Sequence, residues 1–263
     1  MADKIKKKIA GLIDQTLLKP NSSNQEYLTL CRDAREWGFR TVCVEPYFVD
    51  QCVQYLEGTS TEVCTVIDFP KGLGDIERNL DDVEMVINEG AMEIDMVMDI
   101  DSFRLKKYDK VLTGIYSIVE AAAGRVVKVI IETCHWNDDE IKIACEIIKE
   151  AKAQFVKTST GFSKNGAKVS QVKVIRQSVG DLFGVKASGG INSSLLNRER
   201  TSQPFGLPSL VATFFSSPSS PACWERRASE SPAHPHSCQC RCWPCHPGGR
   251  QLPPPPPSPP PSP

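Results

Sequence analysis

Phe155-Val-Lys-Thr-Ser-Thr-Gly-Phe162 is the stretch on which the fold turns. Its first half carries the β-branched and aromatic residues of a short strand, and its second half is a turn of hydroxyls and a glycine. Lys157 lies inside the strand-like half, where a buried ammonium without a partner is costly. Such a lysine is expected to be there for chemistry. The pattern repeats one unit later. Leu182-Phe-Gly-Val-Lys-Ala187 is a second strand, with Lys186 near its end and Ser188-Gly-Gly190 as its turn. Between the two, Val169, Val172 and Ile175 recur at helical spacing.

Towards the N-terminus the same alternation continues. Strands are expected at Gly11–Leu18, Thr41–Pro46, Glu62–Pro70, Glu93–Met98 and Val126–Glu132. Helices are expected between them. Their apolar faces are Tyr27, Leu30, Cys31, Ala34 and Trp37; residues 47–56; Ile76, Leu80, Val83 and Ile87; Leu105, Tyr108, Leu112, Ile115 and Val119; and Ile141, Ala144, Cys145 and Ile148. Seven strands alternating with six helices imply a parallel sheet covered by helices. Both a (β/α)8 barrel and an open doubly wound sheet satisfy that pattern. Asp14, Asp68, Asp95, Glu132, Lys157 and Lys186 fall at or near strand C-terminal ends, where barrel active sites are built. No Gly-x-Gly-x-x-Gly follows the first strand, which counts against dinucleotide binding. The barrel is preferred, and it stops one strand short.

A break in composition marks the boundary. Of 20 prolines, 17 follow residue 192, and Ser, Arg and Cys crowd the same region. The expected division is a barrel body over 1–191, lacking its last β/α unit, and a Pro/Ser/Cys-rich tail over 192–263. The tail is too poor in periodic apolar residues to offset its ordering entropy and is expected to be disordered. The lysine-rich start, Met1 to Lys8, is expected to open a charged surface helix.

A net charge of −1 and a pI near 6.4 give no nucleic-acid footprint. No run of 18 apolar residues predicts a membrane span. With no secretory segment and six body cysteines placed as small core residues, the expected location is cytoplasmic.

His135 is the single histidine of the body, which argues against a serine–histidine triad or a multi-histidine metal centre there. Lysines and carboxylates remain. Lys157 and Lys186 sit in consecutive strands, about 4.8 Å apart if both face inward. Mutual repulsion and desolvation are then expected to lower both pKa values, and a neutral amine attacks a carbonyl. The bland alternative is a pair of lysines pointing outward between helices. Asp95 is a candidate proton carrier beside them; its alternative is a structural ion pair with Lys128, at the same position of the fifth strand. Thr158-Ser-Thr160-Gly161 and Ser188-Gly189-Gly190 offer backbone N–H groups and hydroxyls suited to a phosphate.

Leu12-Ile-Asp-Gln-Thr-Leu-Leu18, Val42-Cys-Val-Glu-Pro46, Glu93-Ile-Asp95, Val127-Lys-Val-Ile-Ile-Glu-Thr133, Phe155 to Phe162 and Gly184-Val-Lys-Ala-Ser-Gly-Gly190 together closely resemble the deoxyribose-phosphate aldolase family, in order over about residues 10–191. The resemblance implies a TIM barrel and a class I lyase needing no metal or other cofactor. It implies cleavage of 2-deoxy-D-ribose 5-phosphate to glyceraldehyde 3-phosphate and acetaldehyde, in deoxyribonucleoside catabolism. Lys157 becomes the Schiff-base lysine, Lys186 its pKa-lowering neighbour and Asp95 the proton relay. Asp14, Thr16, Lys128, Thr160, Gly161, Gly189 and Gly190 become substrate contacts. A phosphorylated sugar is the expected partner, in a chain that can form homo-oligomers.

The departure from the family begins after Ile191. Where a helix, an eighth strand and a phosphate loop are expected, the chain reads Asn192-Ser-Ser-Leu-Leu-Asn-Arg198 and then the tail. Strands one and seven would be left as open edges. This carries an alternative reading, an inactive barrel fragment acting through association with a partner; a third is a phosphate-binding barrel lyase for another aldehyde. In the tail, Cys238, Cys240, Cys242 and Cys245 with three histidines lack the paired spacing of structural zinc sites, and no metal is expected.

Overall fold

The computed structural model describes residues 9–191 and the strand Ser209–Phe214. The lysine-rich start and the tail cysteine cluster lie outside the described residues.

Seven parallel strands form the wall: β1 (Ile13–Leu17), β2 (Thr41–Val44), β3 (Glu62–Ile67), β4 (Glu93–Val97), β5 (Val126–Ile130), β6 (Phe155–Lys157) and β7 (Gly184–Ala187). The helices are α1 (Asn24–Trp37), α2 (Val49–Leu56), α3 (Ile76–Asn88), α4 (Ile100–Arg104), α5 (Tyr108–Ala121), α6 (Asp138–Glu150) and α7 (Val169–Val179). Sequence dictates their ends. Ser23 and Glu26 form a reciprocal capping box at the start of α1, and Asn137 and Glu140 form one on α6. Gly38, at φ 69°, ends α1 by donating its N–H to the Ala34 carbonyl.

Alternation along each strand separates two layers. Val42, Val63, Ile94, Val127, Val156 and Val185 point to the helices and belong to one large core, with Tyr27, Val83, Ile115 and Ile148 of the helices. The other face of each strand turns inward, and there Leu18, Cys43, Cys64 and Val66 form a separate small apolar cluster.

Two readings of the sequence are corrected. Leu105 does not lie in the helix of Tyr108 and Leu112. A separate short helix, α4, is capped by Asp99, whose carboxylate accepts from the Ser102 N–H at 2.8 Å, and Leu105 is left 65% exposed at the turn. Leu182, read as the start of β7, is 84% exposed and precedes it.

The third difference concerns closure. Ser209–Phe214, from the tail, fills the gap between β7 and β1 as β8, antiparallel to both. Ala212 is paired with Ile13 on one side and with Ala187 on the other. A parallel strand here needs a crossover that carries the chain back to the far end of the barrel; an antiparallel one needs only a turn at the near end. The run Leu210-Val-Ala-Thr-Phe-Phe215 supplies strand-forming residues free of proline. The seven parallel strands are as expected, and their edges are paired rather than open.

Candidate active site

The register of the parallel strands sets the site. Lys157 of β6 is the direct partner of Lys186 of β7, and Asp95 of β4 is the direct partner of Lys128 of β5. Direct partners in a parallel sheet face the same way, so these side chains converge inside the barrel. All four are at most 1% exposed. The outward-lysine alternative is therefore excluded.

Asp95 is the hub. Its Oδ2 accepts from Lys157 Nζ at 2.6 Å and Lys186 Nζ at 2.7 Å, and its Oδ1 from Lys128 Nζ at 2.9 Å. Asp14 of β1 adds a second carboxylate, 2.5 Å from Lys186 and 3.5 Å from Lys128. Glu93, two residues before Asp95 and on the same face, lies 2.5 Å from Lys128. Arg40 holds Glu93 in turn at 2.9 Å. Three buried ammonium groups thus meet three buried carboxylates. The proposed ion pair of Asp95 with Lys128 and the lysine cluster coexist in one network.

The electrostatics follow. Burial alone would raise the Asp95 carboxyl, but Lys128, Lys157 and Lys186 outweigh it and hold it well below the usual carboxylate range. Asp14 is lowered in the same way, with Lys186 and Lys128 overcoming its burial. Burial would lower Lys186, yet Asp14 and Asp95 raise it above an ordinary lysine. The expectation that repulsion lowers both strand lysines fails for Lys186, because two carboxylates face it directly. Lys128 is raised well above its ordinary value, with Asp95, Cys64, Glu93 and Asp14 overcoming burial. Lys157 is the member of the trio whose ion pairing rests on a single carboxylate.

Cys43, Cys64 and Asp95 also bring possible ligand atoms within 4.8 Å of one another. A cation there would have to compete with the ammonium groups already on Asp95.

Above the network, the turns after β6 and β7 are laced together. Ser188 N–H donates to Thr158 Oγ1 at 3.0 Å, and Ser159 N–H to Ser188 Oγ at 3.2 Å. Ala167 N–H reaches the Ser188 carbonyl at 2.9 Å. The chains approach closely at Gly189, φ 79°, where a Cβ would stand 2.9 Å from Gly166 Cα. Gly161 and Gly190 also have positive φ, 88° and 72°. Thr160 donates both its N–H and its hydroxyl to Glu132 Oε2, so Glu132 anchors this turn. Thr16 donates its hydroxyl to the Asp14 carbonyl at 3.1 Å.

Asp68 does not join the cluster. Its carboxylate accepts from Leu73 N–H, Gly74 N–H and Asn79 Nδ2, and so shapes the loop after β3. That loop carries Phe69, which meets Phe162 edge-on at 5.3 Å between ring centres. Sequence reasoning assigned no site role to Glu93 or to Cys43. The signal for Glu93 was its two-residue spacing from Asp95, which puts both on one face of a strand.

Residues 8–203 match the family described as DeoC/LacD family aldolase. The deoxyribose-phosphate aldolase of Caldanaerobacter subterraneus subsp. tengcongensis is 49% identical over 188 residues, covering 70% of this chain and 81% of that protein. That of Clostridium tetani is 47% identical over 184 residues, covering 70% of this chain and 85% of the relative. The solved tetrameric deoxyribose phosphate aldolase of Aeropyrum pernix is 32% identical with a TM-score of 0.65, over 71% of this chain and 79% of that one. With paired strand lysines on a shared aspartate in the interior of a barrel, and with the match running through three-quarters of its length, the chain belongs to the DeoC/LacD family of aldolases.

Proposed function

We propose that this chain is a deoxyribose-phosphate aldolase that works through a Schiff base on Lys157. The observation that carries the proposal is the convergence of Lys157 and Lys186 on one oxygen of Asp95 inside an aldolase-family barrel. Lys157 is held by a single carboxylate, so it is the lysine freest to leave its ion pair and present its nitrogen to a carbonyl carbon.

The Lys157 amine adds to the aldehyde carbon of 2-deoxyribose 5-phosphate, and loss of water gives an iminium. A base takes the C3 hydroxyl proton, the C2–C3 bond breaks, and its electron pair moves through C2 to the iminium nitrogen as an enamine. Glyceraldehyde 3-phosphate leaves. The enamine takes a proton at C2, and water hydrolyses the resulting imine to acetaldehyde and free Lys157. Asp95, whose depressed carboxyl is a poor resting place for a proton, relays protons through a water rather than keeping them. Lys186, kept charged by Asp14 and Asp95, is the neighbouring ammonium beside Lys157 in this network. Asp14 and Lys128 act by holding this network, with Thr16 beside them. The phosphate lies against Gly161, Gly189 and Gly190, where the two turns offer N–H groups of left-handed backbone, with Thr160 held to Glu132 beside them.

The reaction suits deoxyribonucleoside breakdown in the cytoplasm, and the tetrameric Aeropyrum pernix relative makes a homo-oligomer part of the proposal. No helix among the described residues is long and apolar enough to cross a membrane. The test is borohydride reduction in the presence of acetaldehyde, followed by peptide mass spectrometry. An ethyl group on Lys157 is the expected product. A folded chain that gains none would overturn the proposal and favour the inactive-barrel reading.

A further inference from the structure

A line of ion pairs runs to Lys157 from the floor of the barrel, the end opposite the turns of Thr160 and Gly189. It starts at Arg40, just before β2, whose side chain is 39% exposed. The backbone fixes this residue. Its N–H donates to the Ile13 carbonyl at 3.0 Å, and its carbonyl accepts from the Glu62 N–H at 3.2 Å. The guanidinium bridges the first residues of β3 and β4, with Glu62 at 3.1 Å and Glu93 at 2.9 Å. Glu93 turns its other oxygen to Lys128, Lys128 donates to Asp95 Oδ1 at 2.9 Å, and Asp95 Oδ2 holds Lys157 at 2.6 Å. From Glu93 inward every side chain of the line is at most 4% exposed. Arg40 is where this buried line meets water.

The charges alternate along the line, so cations compete in pairs for the carboxylate between them. Arg40 and Lys128 share Glu93, and Lys128 and Lys157 share Asp95. What Arg40 takes from Glu93 leaves Lys128 leaning on Asp95. What Lys128 takes from Asp95 is withheld from Lys157. A positive charge at the floor therefore weakens the hold on the Lys157 ammonium, and repulsion between like charges acts in the same sense. The other groups around Lys157 reach it from different strands. Lys186 of β7 shares Asp95 Oδ2, Asp14 of β1 faces Lys186, and Cys43 of β2 lies 4.0 Å from that oxygen.

We infer that Arg40 is a positioning residue for the aldolase reaction: acting through Glu93 and Lys128, it loosens the ion pair between Asp95 and Lys157 and keeps Lys157 available as a nucleophile. The inference rests on the Schiff-base reading and adds to it a residue that touches neither Lys157 nor the substrate. Residues at the floor of such a barrel ordinarily serve stability. Here the unbroken succession of ion pairs gives a floor residue a second role, and charge is what it transmits.

The experiment times adduct formation between acetaldehyde and Lys157 at neutral pH in the full chain, with a borohydride quench and mass spectrometry of the ethylated peptide. Arg40→Lys keeps the charge, Arg40→Gln removes it and Arg40→Glu reverses it, at a position open to water. The rate is expected to stay close to wild type in Arg40→Lys, to fall about threefold in Arg40→Gln and to fall about tenfold in Arg40→Glu. Glu93→Gln leaves Lys128 to Asp95 and should instead raise the rate about threefold. A role in stability alone orders rates by damage, not by charge, and speeds none of them. Should Glu93→Gln lose the wild-type circular dichroism spectrum, the Arg40 series decides alone. Rates in folded variants that do not follow the charge at residue 40, or a folded Glu93→Gln that is not faster, would overturn the role of Arg40 and leave the Schiff base standing. If folded wild type gains no ethyl group, the Schiff-base reading falls and the role of Arg40 falls with it.

Discussion

Lys157 and Lys186 are direct partners across β6 and β7, and both ammonium groups end on the same atom, Asp95 Oδ2, at 2.6 and 2.7 Å. Two like charges this close persist in a buried site only because anions are interleaved with them. The barrel interior alternates charge in space, and removing one member leaves an uncompensated neighbour.

Asp95→Asn is therefore expected to damage stability as well as chemistry. It would leave three buried ammonium groups sharing Asp14 and Glu93. Breaking a buried pair by removing one partner costs about 3–5 kcal/mol. Urea unfolding followed by circular dichroism measures this, and a loss below about 1 kcal/mol would contradict the hub role.

Acid and alkali should attack the network from opposite sides. Asp95 and Asp14 are lowered in the folded state, so their contribution is present above the ordinary carboxylate value, about 3.9, and is lost as pH falls through the lower folded values. Lys128 and Lys186 are raised, so their contribution is full below about 10.4 and is lost only as pH rises through the higher folded values. These four groups give a flat stability profile between those limits. Asp14→Asn should shallow the acid limb, read as midpoint denaturant concentration against pH.

Gly189→Ala tests the turn after β7. Alanine at φ 79° is strained, and its Cβ would press on Gly166 Cα. A cost of about 1 kcal/mol or more is expected. The turn would shift away from Gly166, and the KM for a phosphorylated sugar should rise several-fold. Turnover of unphosphorylated deoxyribose should change less, which separates a phosphate contact from general damage.

Ala212→Pro tests closure of the barrel. Ala212 has strand partners on both sides, and proline is poorly tolerated in a strand that is not at an edge. The expected result is a melting temperature lower by several degrees, since about 1 kcal/mol shifts a domain of this size by about 2–4 °C. Unchanged melting would show that β8 contributes nothing to the barrel.

The lysines were legible because a charged residue in an apolar strand breaks the pattern that burial imposes. Lys157 and Lys186 stood out for that reason, and the β-α alternation gave the barrel around them. What stayed hidden depended on contacts between distant strands. The sign of the Lys186 shift follows from Asp14, which lies 172 positions earlier in the chain yet 2.5 Å away. Asp68 occupies a strand end like the other polar candidates, and only the loop geometry shows it facing away from the cluster. In the tail, the composition of the whole region concealed Leu210 to Phe215, a proline-free run that alone would have read as a strand.

The reversed direction of β8 also fixes the route of the polypeptide. Ala212 lies level with Ala187 and Phe214 level with Val185, so β8 descends from the rim that bears the turns towards the floor. In a uniformly parallel barrel the last strand delivers the chain to the rim. Here Phe214 delivers it to the floor. A reporter or affinity handle attached directly after Phe214 would thus start at the end of the barrel remote from the lysines.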